Sequence, residues 1–113
     1  MKRYEGQRTW RCVHVTANGR PLNPRLDLRN HSPTGFEWGY CGSGPAQLAL
    51  ALLADHMADD EQALDYYQRF KWTVIVGLPK QGWTLTSEQI EASLDSLRSA
   101  SLPPATLAIQ PKE

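Results

Sequence analysis

The chain has 113 residues, of which 41% are hydrophobic and 21% charged, and its formal net charge is zero. These proportions are typical of a globular domain with one hydrophobic core and exclude a wholly disordered protein. The longest apolar run has seven residues, whereas a membrane-spanning helix needs about 20, so the composition excludes a protein built on such helices.

The N-terminal segment is predicted to form an antiparallel β-meander. Residues 7–17 alternate in polarity and are rich in β-branched side chains, which predicts a strand. Asn18-Gly19 follows at once, and this dipeptide favours a hairpin with a type I′ turn. Residues 21–28 place apolar side chains at every second position, but their two prolines predict either an edge strand or a strand that starts only near Arg25. Residues 4–6 are a candidate third strand.

The first predicted helix starts within a glycine-rich loop and ends near Met57 or Ala58. Ser43 or Gly44 is the expected N-cap, because Pro45 suits the first turn of a helix. Every residue from Leu48 to Ala54 is apolar. A helix without a polar face belongs at the centre of a domain.

A second helix is predicted after Asp59, which is placed with Gln62 in a capping box. Its apolar stripe continues without a break to Leu78, where Gly77 and Pro79 supply a stop. The stripe consists of Ala63, Tyr67, Phe70, Val74 and Leu78.

A third helix is predicted after Thr86, which forms a capping box with Gln89. Residues 83–85 before it are expected to be extended. The resulting fold class is α+β, with a small antiparallel β-meander packed against about three α-helices. We expect this single domain to occupy residues 1–100 and residues 101–113 to be a loosely ordered tail.

The charges are distributed unevenly along the chain. Residues 1–30 contain seven basic and two acidic groups, whereas residues 31–113 contain five basic and ten acidic groups. One interpretation is that the two segments neutralise each other in the fold. The other is a basic hairpin surface for nucleic acid, with Trp10 and Trp38 as stacking groups. Its arginines are Arg8, Arg11, Arg20, Arg25 and Arg29.

The glycines before the first helix do not match a phosphate-binding loop. Gly39, Gly42 and Gly44 have the spacing G-x-x-G-x-G, and no Gly-Lys-Ser/Thr follows. We therefore interpret the loop as a structural or partner-binding element in which Trp38 and Tyr40 pack, and we predict no cofactor.

Catalytic and metal-binding patterns are weak. His31, Glu37 and Cys41, with Ser43 as a second nucleophile, are the residues that a small hydrolase or transferase could use. No cysteine or histidine spacing matches a metal site, although Cys12 and His14 would face the same way on a strand. We predict no metal site. Two cysteines are too few for a disulfide framework, and no export signal is seen, so we expect a cytoplasmic protein.

Several segments resemble a family of small bacterial, plasmid and phage proteins known only as a domain of unknown function. They are NHSPTGFEWGY at 30–40, GSGPAQLA at 42–49, Phe70-Lys71, Leu78-Pro79 and GWTLT at 82–86. The similarity covers residues 3–98, and the motif F-E-W-G-Y-x-G-S-G-P-A-Q-L-A is specific. This chain has Cys41 where other members have glycine, which weakens the case for a shared thiol function. The resemblance implies a setting in mobile elements and their hosts, and no reaction.

The sequence thus favours a non-catalytic accessory protein of a phage or mobile element that binds a host or phage protein or a nucleoprotein complex. One form is an inhibitor of a host defence system such as a CRISPR-type nuclease, acting by protein contact or nucleic-acid mimicry. Alternatives are a nucleic-acid-binding protein that uses the basic hairpin, and the small enzyme above. The predicted binding residues are Arg25, Arg29, His31, Glu37, Trp38 and Tyr40.

Overall fold

The computed structural model describes residues 2–32 and 35–100, so the predicted tail at 101–113 lies outside the described residues. The described chain forms an antiparallel four-stranded sheet, in the order β3-β2-β1-β4, and three α-helices. This confirms the α+β fold class. The elements are β1 Arg3–Arg8, β2 Val13–Ala17, β3 Arg20–Pro21, α1 Ser43–Met57, α2 Asp60–Thr73, a 3₁₀ turn Ile75–Gly77, β4 Gly82–Thr86 and α3 Ser87–Ala100.

The predicted strand over residues 7–17 is wrong, because a tight turn divides this segment between β1 and β2. The N–H of Thr9 donates to the carbonyl of Cys12 at 2.8 Å, which closes a four-residue turn. The antiparallel register then runs from Tyr4 opposite Ala17 to Arg8 opposite Val13. The candidate strand at residues 4–6 lies within β1, one of the two inner strands of the sheet.

The β2–β3 hairpin is confirmed, but its return strand is much shorter than predicted. Asn18 and Gly19 have φ values of 51° and 82°, as a type I′ turn requires. The strand stops at Pro21, which lies at the sheet edge. Arg25 takes a left-handed φ of 56°, and its N–H binds the side chain of Asn23 at 2.9 Å. The chain therefore turns where the alternating leucines predicted an extended strand.

Helix α1 is the centre of the core, as its sequence predicts. Leu48, Leu50, Leu52 and Leu53 are fully buried. The helix begins one residue earlier than expected, with Gly42 at the N-cap, and it ends with Ala58 in a left-handed conformation. The hydrophobic effect that holds the fold together is thus concentrated on this helix.

Helix α2 begins as predicted but ends earlier. The carboxylate of Asp59 accepts a hydrogen bond from the N–H of Gln62 at 3.2 Å. The helix stops at Thr73 and a 3₁₀ turn follows, so the prediction that it continues to Leu78 is wrong. The run Thr73–Val76 is almost entirely β-branched, which disfavours a helix. Beyond the helix, Ile75 is the residue that is fully buried, whereas the predicted stripe residues Val74 and Leu78 are partly buried against the core.

Strand β4 and helix α3 confirm the predictions for the C-terminal third. β4 pairs with β1, with Trp83 opposite Gly6 and Leu85 opposite Tyr4. The capping box is formed, since the N–H of Gln89 donates to the hydroxyl of Thr86 at 3.2 Å. None of the helices in the described part of the chain is long and apolar enough to cross a bilayer.

The long segment between β3 and α1 is attached to α1 by the buried side chain of Gln47. Its Nε2 donates to the carbonyls of Pro24 at 2.6 Å and Arg29 at 3.0 Å. Its Oε1 accepts from the N–H groups of His31 at 2.8 Å and Ser32 at 3.1 Å. All four hydrogen-bonding positions of the amide are therefore used by main-chain groups of one loop.

Replacing Gln47 with leucine should destabilise the protein strongly. The change leaves four main-chain groups without the amide, and each buried unsatisfied group costs about 1–3 kcal/mol. We expect a loss of about 3–5 kcal/mol in the free energy of unfolding, measured by urea denaturation. Gln68→Leu, at an exposed position on α2, is the control and should change stability little. A loss below about 1 kcal/mol for Gln47→Leu would contradict this role.

Gly6→Ala should also destabilise, because Trp83 lies across Gly6. A Cβ at this position would overlap the indole ring, and overpacking of this kind costs about 1–3 kcal/mol. The control is Gly77→Ala, where a Cβ meets open space and the change should be small. Chemical denaturation of both variants tests this, and equal stabilities would show that the indole can move aside.

Candidate functional site

A groove of about 550 Å³ lies between the β1–β2 turn and the loop before α1. The turn brings Trp10 and Arg11 to one wall, and the loop brings Glu37 and Tyr40 to the other. The first residues of α1, Ser43 and Gly44, also line it. We call this feature the Trp10 groove.

The β1–β2 turn holds Trp10 in an exposed position. The side chain is 87% exposed, and the guanidinium of Arg11 lies 4.6 Å from the ring centroid, in a cation–π arrangement. The hydroxyl of Thr9 accepts from the N–H groups of Arg11 at 3.3 Å and Cys12 at 3.2 Å. These bonds fix the turn, so the indole is held out to solvent by a rigid main chain.

Arg8 and Glu37 form a bidentate ion pair in the Trp10 groove. The Nη1–Oε2 distance is 3.0 Å, and Nη2 contacts Oε1. Hydrogen bonds from the Arg8 guanidinium hold the pKa of the Glu37 carboxyl below its ordinary value, and the positive charges of Arg8 and Lys80 act in the same direction. The Arg8 guanidinium also lies 4.9 Å from the centroid of the Trp38 ring.

Trp38 lies in the core and not on the surface, which corrects its assignment as a contact residue. It is fully buried, meets Trp83 edge to face with the ring centroids 5.6 Å apart, and donates from Nε1 to the carbonyl of Pro79 at 2.9 Å. Tyr40, two residues later, is 44% exposed, and the Nζ of Lys80 lies 5.0 Å from its ring centroid. Only Tyr40 of the predicted aromatic pair can meet a partner.

His31, Glu37 and Cys41 have separate surroundings. The Nε2 of His31 is 2.7 Å from the hydroxyl of Tyr67, and His31 is not among the residues of the Trp10 groove. The carboxylate of Glu37 is bound to Arg8, and Cys41 is exposed. His31 and Glu37 thus form these hydrogen bonds with Tyr67 and Arg8, and not with the thiol of Cys41.

The predicted basic stripe is interrupted by ion pairs. Arg25 binds Asp60 through two hydrogen bonds of 3.1 and 2.9 Å and also binds Asp27. These bonds raise the pKa of Arg25. Arg29 is exposed and donates to the carbonyl of Leu28 at 2.8 Å. The pairs Lys2–Asp55, Arg8–Glu37 and Arg25–Asp60 join the basic N-terminal segment to the acidic remainder.

Cys12 and His14 lie side by side on the solvent face of the sheet, as the strand pattern predicts. The Cys12 Sγ is 3.3 Å from the His14 Nε2. Among residues 2–32 and 35–100, no group of three or more metal-ligating side chains comes together. The pair lacks a third ligand within that part of the chain.

Local sequence patterns do not reveal the prominence of the β1–β2 turn or the part played by Lys80. A single predicted strand over residues 7–17 places Trp10 on a sheet face. The available signal was Thr9 three residues before Cys12, since a threonine hydroxyl can close a turn with its own main chain. No pattern in the neighbouring sequence indicates that Lys80 contacts Tyr40, because that contact depends on the tertiary fold.

Comparison with known protein families gives a match over most of the chain. The model of a family described as a family of unknown function, DUF6166, matches residues 4–96, which is most of the chain. This confirms the resemblance to a family of unknown function. No curated protein and no solved structure matches the chain.

Protonation of Glu37 should weaken the fold at low pH. Its pKa is lowered in the folded state, so its contribution is present above its ordinary value of 4.5 and is lost as the pH falls toward the folded-state pKa. The pair is partly exposed, so we expect Glu37→Gln to cost about 1 kcal/mol or less at pH 7. That difference from wild type should shrink below pH 4.5.

Urea denaturation at a series of pH values measures this effect. Glu88→Gln is the control, because Glu88 is exposed and has no ion-pair partner in the described ranges. A Glu37→Gln difference that stays constant from pH 7 to below pH 4 would contradict the assignment.

Proposed function

We propose that this chain, which belongs to the DUF6166 family of unknown function, is a non-catalytic binding protein that docks on a partner protein through the Trp10 groove. The observation that carries the proposal is Trp10, a side chain that is 87% exposed on a rigid turn at the mouth of that groove. Isolated exposed apolar residues are ordinary on protein surfaces, but a tryptophan beside a groove with Tyr40 and Arg11 is not.

The composition of the Trp10 groove matches that of binding hot spots. Tryptophan, tyrosine and arginine are the residues that most often dominate interface energetics, and the groove offers Trp10, Tyr40 and Arg11. Covering roughly 200 Å² of indole surface at about 25 cal/mol per Å² is worth about 5 kcal/mol. The hydrogen bonds of Thr9 hold the turn before binding, so little ordering entropy opposes it.

The charges of the Trp10 groove favour an acidic partner surface. Glu37 is paired with Arg8 and also feels the charge of Lys80. Arg11 and Lys80 have aromatic neighbours and form no salt bridge within the described residues. Helix α1 points its N-terminus at the groove without a side-chain cap, and helix N-termini attract negative charge. We therefore assign the groove to a protein segment that carries carboxylates next to an apolar side chain.

The setting of this function is proposed from the family resemblance. In a phage or mobile element, a small protein that docks on an acidic host surface acts as an accessory factor. Inhibition of a host defence nuclease by protein contact is one concrete form. This proposal needs no catalytic residue in the described part of the chain.

Direct binding of nucleic acid is the second candidate function. An arginine stacked on an exposed tryptophan also suits bases and phosphates. Against it, Arg8 and Arg25 of the predicted stripe are held in ion pairs. Carboxylates thus compensate two of the five arginines of the predicted stripe, and the protein partner is favoured.

Trp10→Ala should abolish capture of the partner, while Trp72→Ala should not. Trp72 is the matched control because it is 60% exposed on α2, outside the Trp10 groove. The measurement is affinity capture from a host lysate with all three proteins, followed by mass spectrometry and titration of the captured partner. Loss of a hot-spot tryptophan costs 2 kcal/mol or more, so we expect affinity to fall by about 30-fold.

These three proteins, with Arg11→Ala as a fourth, distinguish the alternatives. Retention on heparin or DNA that falls with salt and is lost in Arg11→Ala would favour nucleic acid. Equal partner capture by wild type and Trp10→Ala would contradict docking at the Trp10 groove. A partner lost in Trp10→Ala and kept in Trp72→Ala supports it.

A further inference from the structure

The two edges of the sheet are protected to very different degrees. The β3 edge has only two residues, Arg20 and Pro21, and a charge, a proline and a short strand all discourage pairing with another chain. The β4 edge has five residues, Gly82–Thr86, with neither a charge nor a proline. An unprotected edge of this kind is a template for a further strand.

The hydrogen bonds of β4 show which of its main-chain groups face outward. The carbonyl of Gln81 accepts from Arg8 at 3.1 Å, and the N–H of Ser87 donates to Lys2 at 2.8 Å. Odd-numbered residues of β4 therefore bond to β1, and even-numbered ones point away. The main-chain groups of Gly82 and Thr84 thus face away from the sheet, and neither makes a hydrogen bond to another part of the described chain.

We propose that β4 is a dimerisation edge, occupied by β4 of a second copy of this chain in antiparallel orientation about Thr84. In that register the two Thr84 residues exchange both of their main-chain hydrogen bonds. The N–H of Gly82 in each copy donates to the carbonyl of Thr86 in the other. Four hydrogen bonds join two four-stranded sheets into one sheet of eight strands.

The β4 segment is complementary to itself in this register. Each Thr84 side chain is exposed on the solvent face and meets its symmetry mate, and threonine pairs across strands are favourable. Gly82 faces Thr86 without steric conflict. Lys80 precedes the strand and Glu88 follows it, so antiparallel pairing brings the basic end of one copy to the acidic end of the other. This charge complementarity favours antiparallel pairing with a second copy of the chain over pairing with a peptide in parallel orientation.

The dimer edge is separate from the Trp10 groove. None of the groove residues belongs to β4. Lys80 enters both arguments. The two tests are made at Thr84 and at Trp10, so each proposal can fail without the other.

The test is the oligomeric state of Thr84→Pro against Thr84→Val, measured by analytical ultracentrifugation from about 1 µM to 1 mM. Proline removes an N–H that is not bonded to β1, and proline is tolerated on edge strands, so the sheet itself should remain. We expect wild type and Thr84→Val to dimerise, and Thr84→Pro to raise the dissociation constant at least about tenfold. If Thr84→Pro fails to fold, Thr84→Lys replaces it as the variant that blocks the edge.

A cross-linking experiment tests the register. In a Cys12→Ser, Cys41→Ser background, Thr84→Cys should form an intermolecular disulfide on mild oxidation, because opposed residues of a bonded antiparallel pair have Cα atoms about 5.5 Å apart. Thr16→Cys, on β2, is the control and should not cross-link.

Three results would overturn the proposal. They are a wild-type monomer at 1 mM, a dimer that Thr84→Pro leaves unchanged, and a dimer that forms only after residues 101–113 are removed. The last result would show that the chain's own C-terminal segment occupies the edge.

Discussion

The fold depends on one buried amide, the side chain of Gln47. It lies on the helix that forms the core, and it holds a loop that has no regular hydrogen bonding of its own. A fully buried polar group is tolerated only when its hydrogen bonds are complete, and here they are complete only if the loop takes one path. The amide therefore determines where the residues after His31 run, and hence where Glu37 meets Arg8.

A second set of contacts positions the residues that line the Trp10 groove. Trp83 lies across Gly6, and Trp38 packs edge to face against Trp83. The guanidinium of Arg8 lies 4.9 Å from the centroid of the Trp38 ring and binds Glu37. The wall of the groove is thus backed by buried aromatic rings, which explains how a site formed by a turn and a loop can be rigid.

Much of the fold could be predicted from local patterns. The Asn18-Gly19 turn, the cap at Asp59 and the capping box at Thr86 depend on neighbouring residues only, and the structure contains all three. The all-apolar stretch of α1 predicted its burial because no orientation on a surface would suit it. The strand boundary at residues 9–12 was missed because alternation continues through the turn.

The candidate site was much harder to predict, because its parts depend on contacts distant in sequence. Trp38 and Tyr40 belong to one aromatic segment, yet one is buried and the other is exposed. The ion pair of Arg25 with Asp60 joins residues 35 positions apart. It compensates the charge of an arginine that the sequence predicts to contact nucleic acid. Side-chain type shows which chemistry is available, whereas the tertiary fold decides which groups remain free to use it.

Among the described residues, the helices pack on one side of the sheet, so alternate residues of β1 have opposite surroundings. Tyr4 and Gly6 are buried, while Arg3 and Gln7 are exposed on the uncovered side. That side is remote from the packing that maintains the core. A fluorophore or surface tether attached at position 7 would therefore report on the protein without disturbing its folded interior.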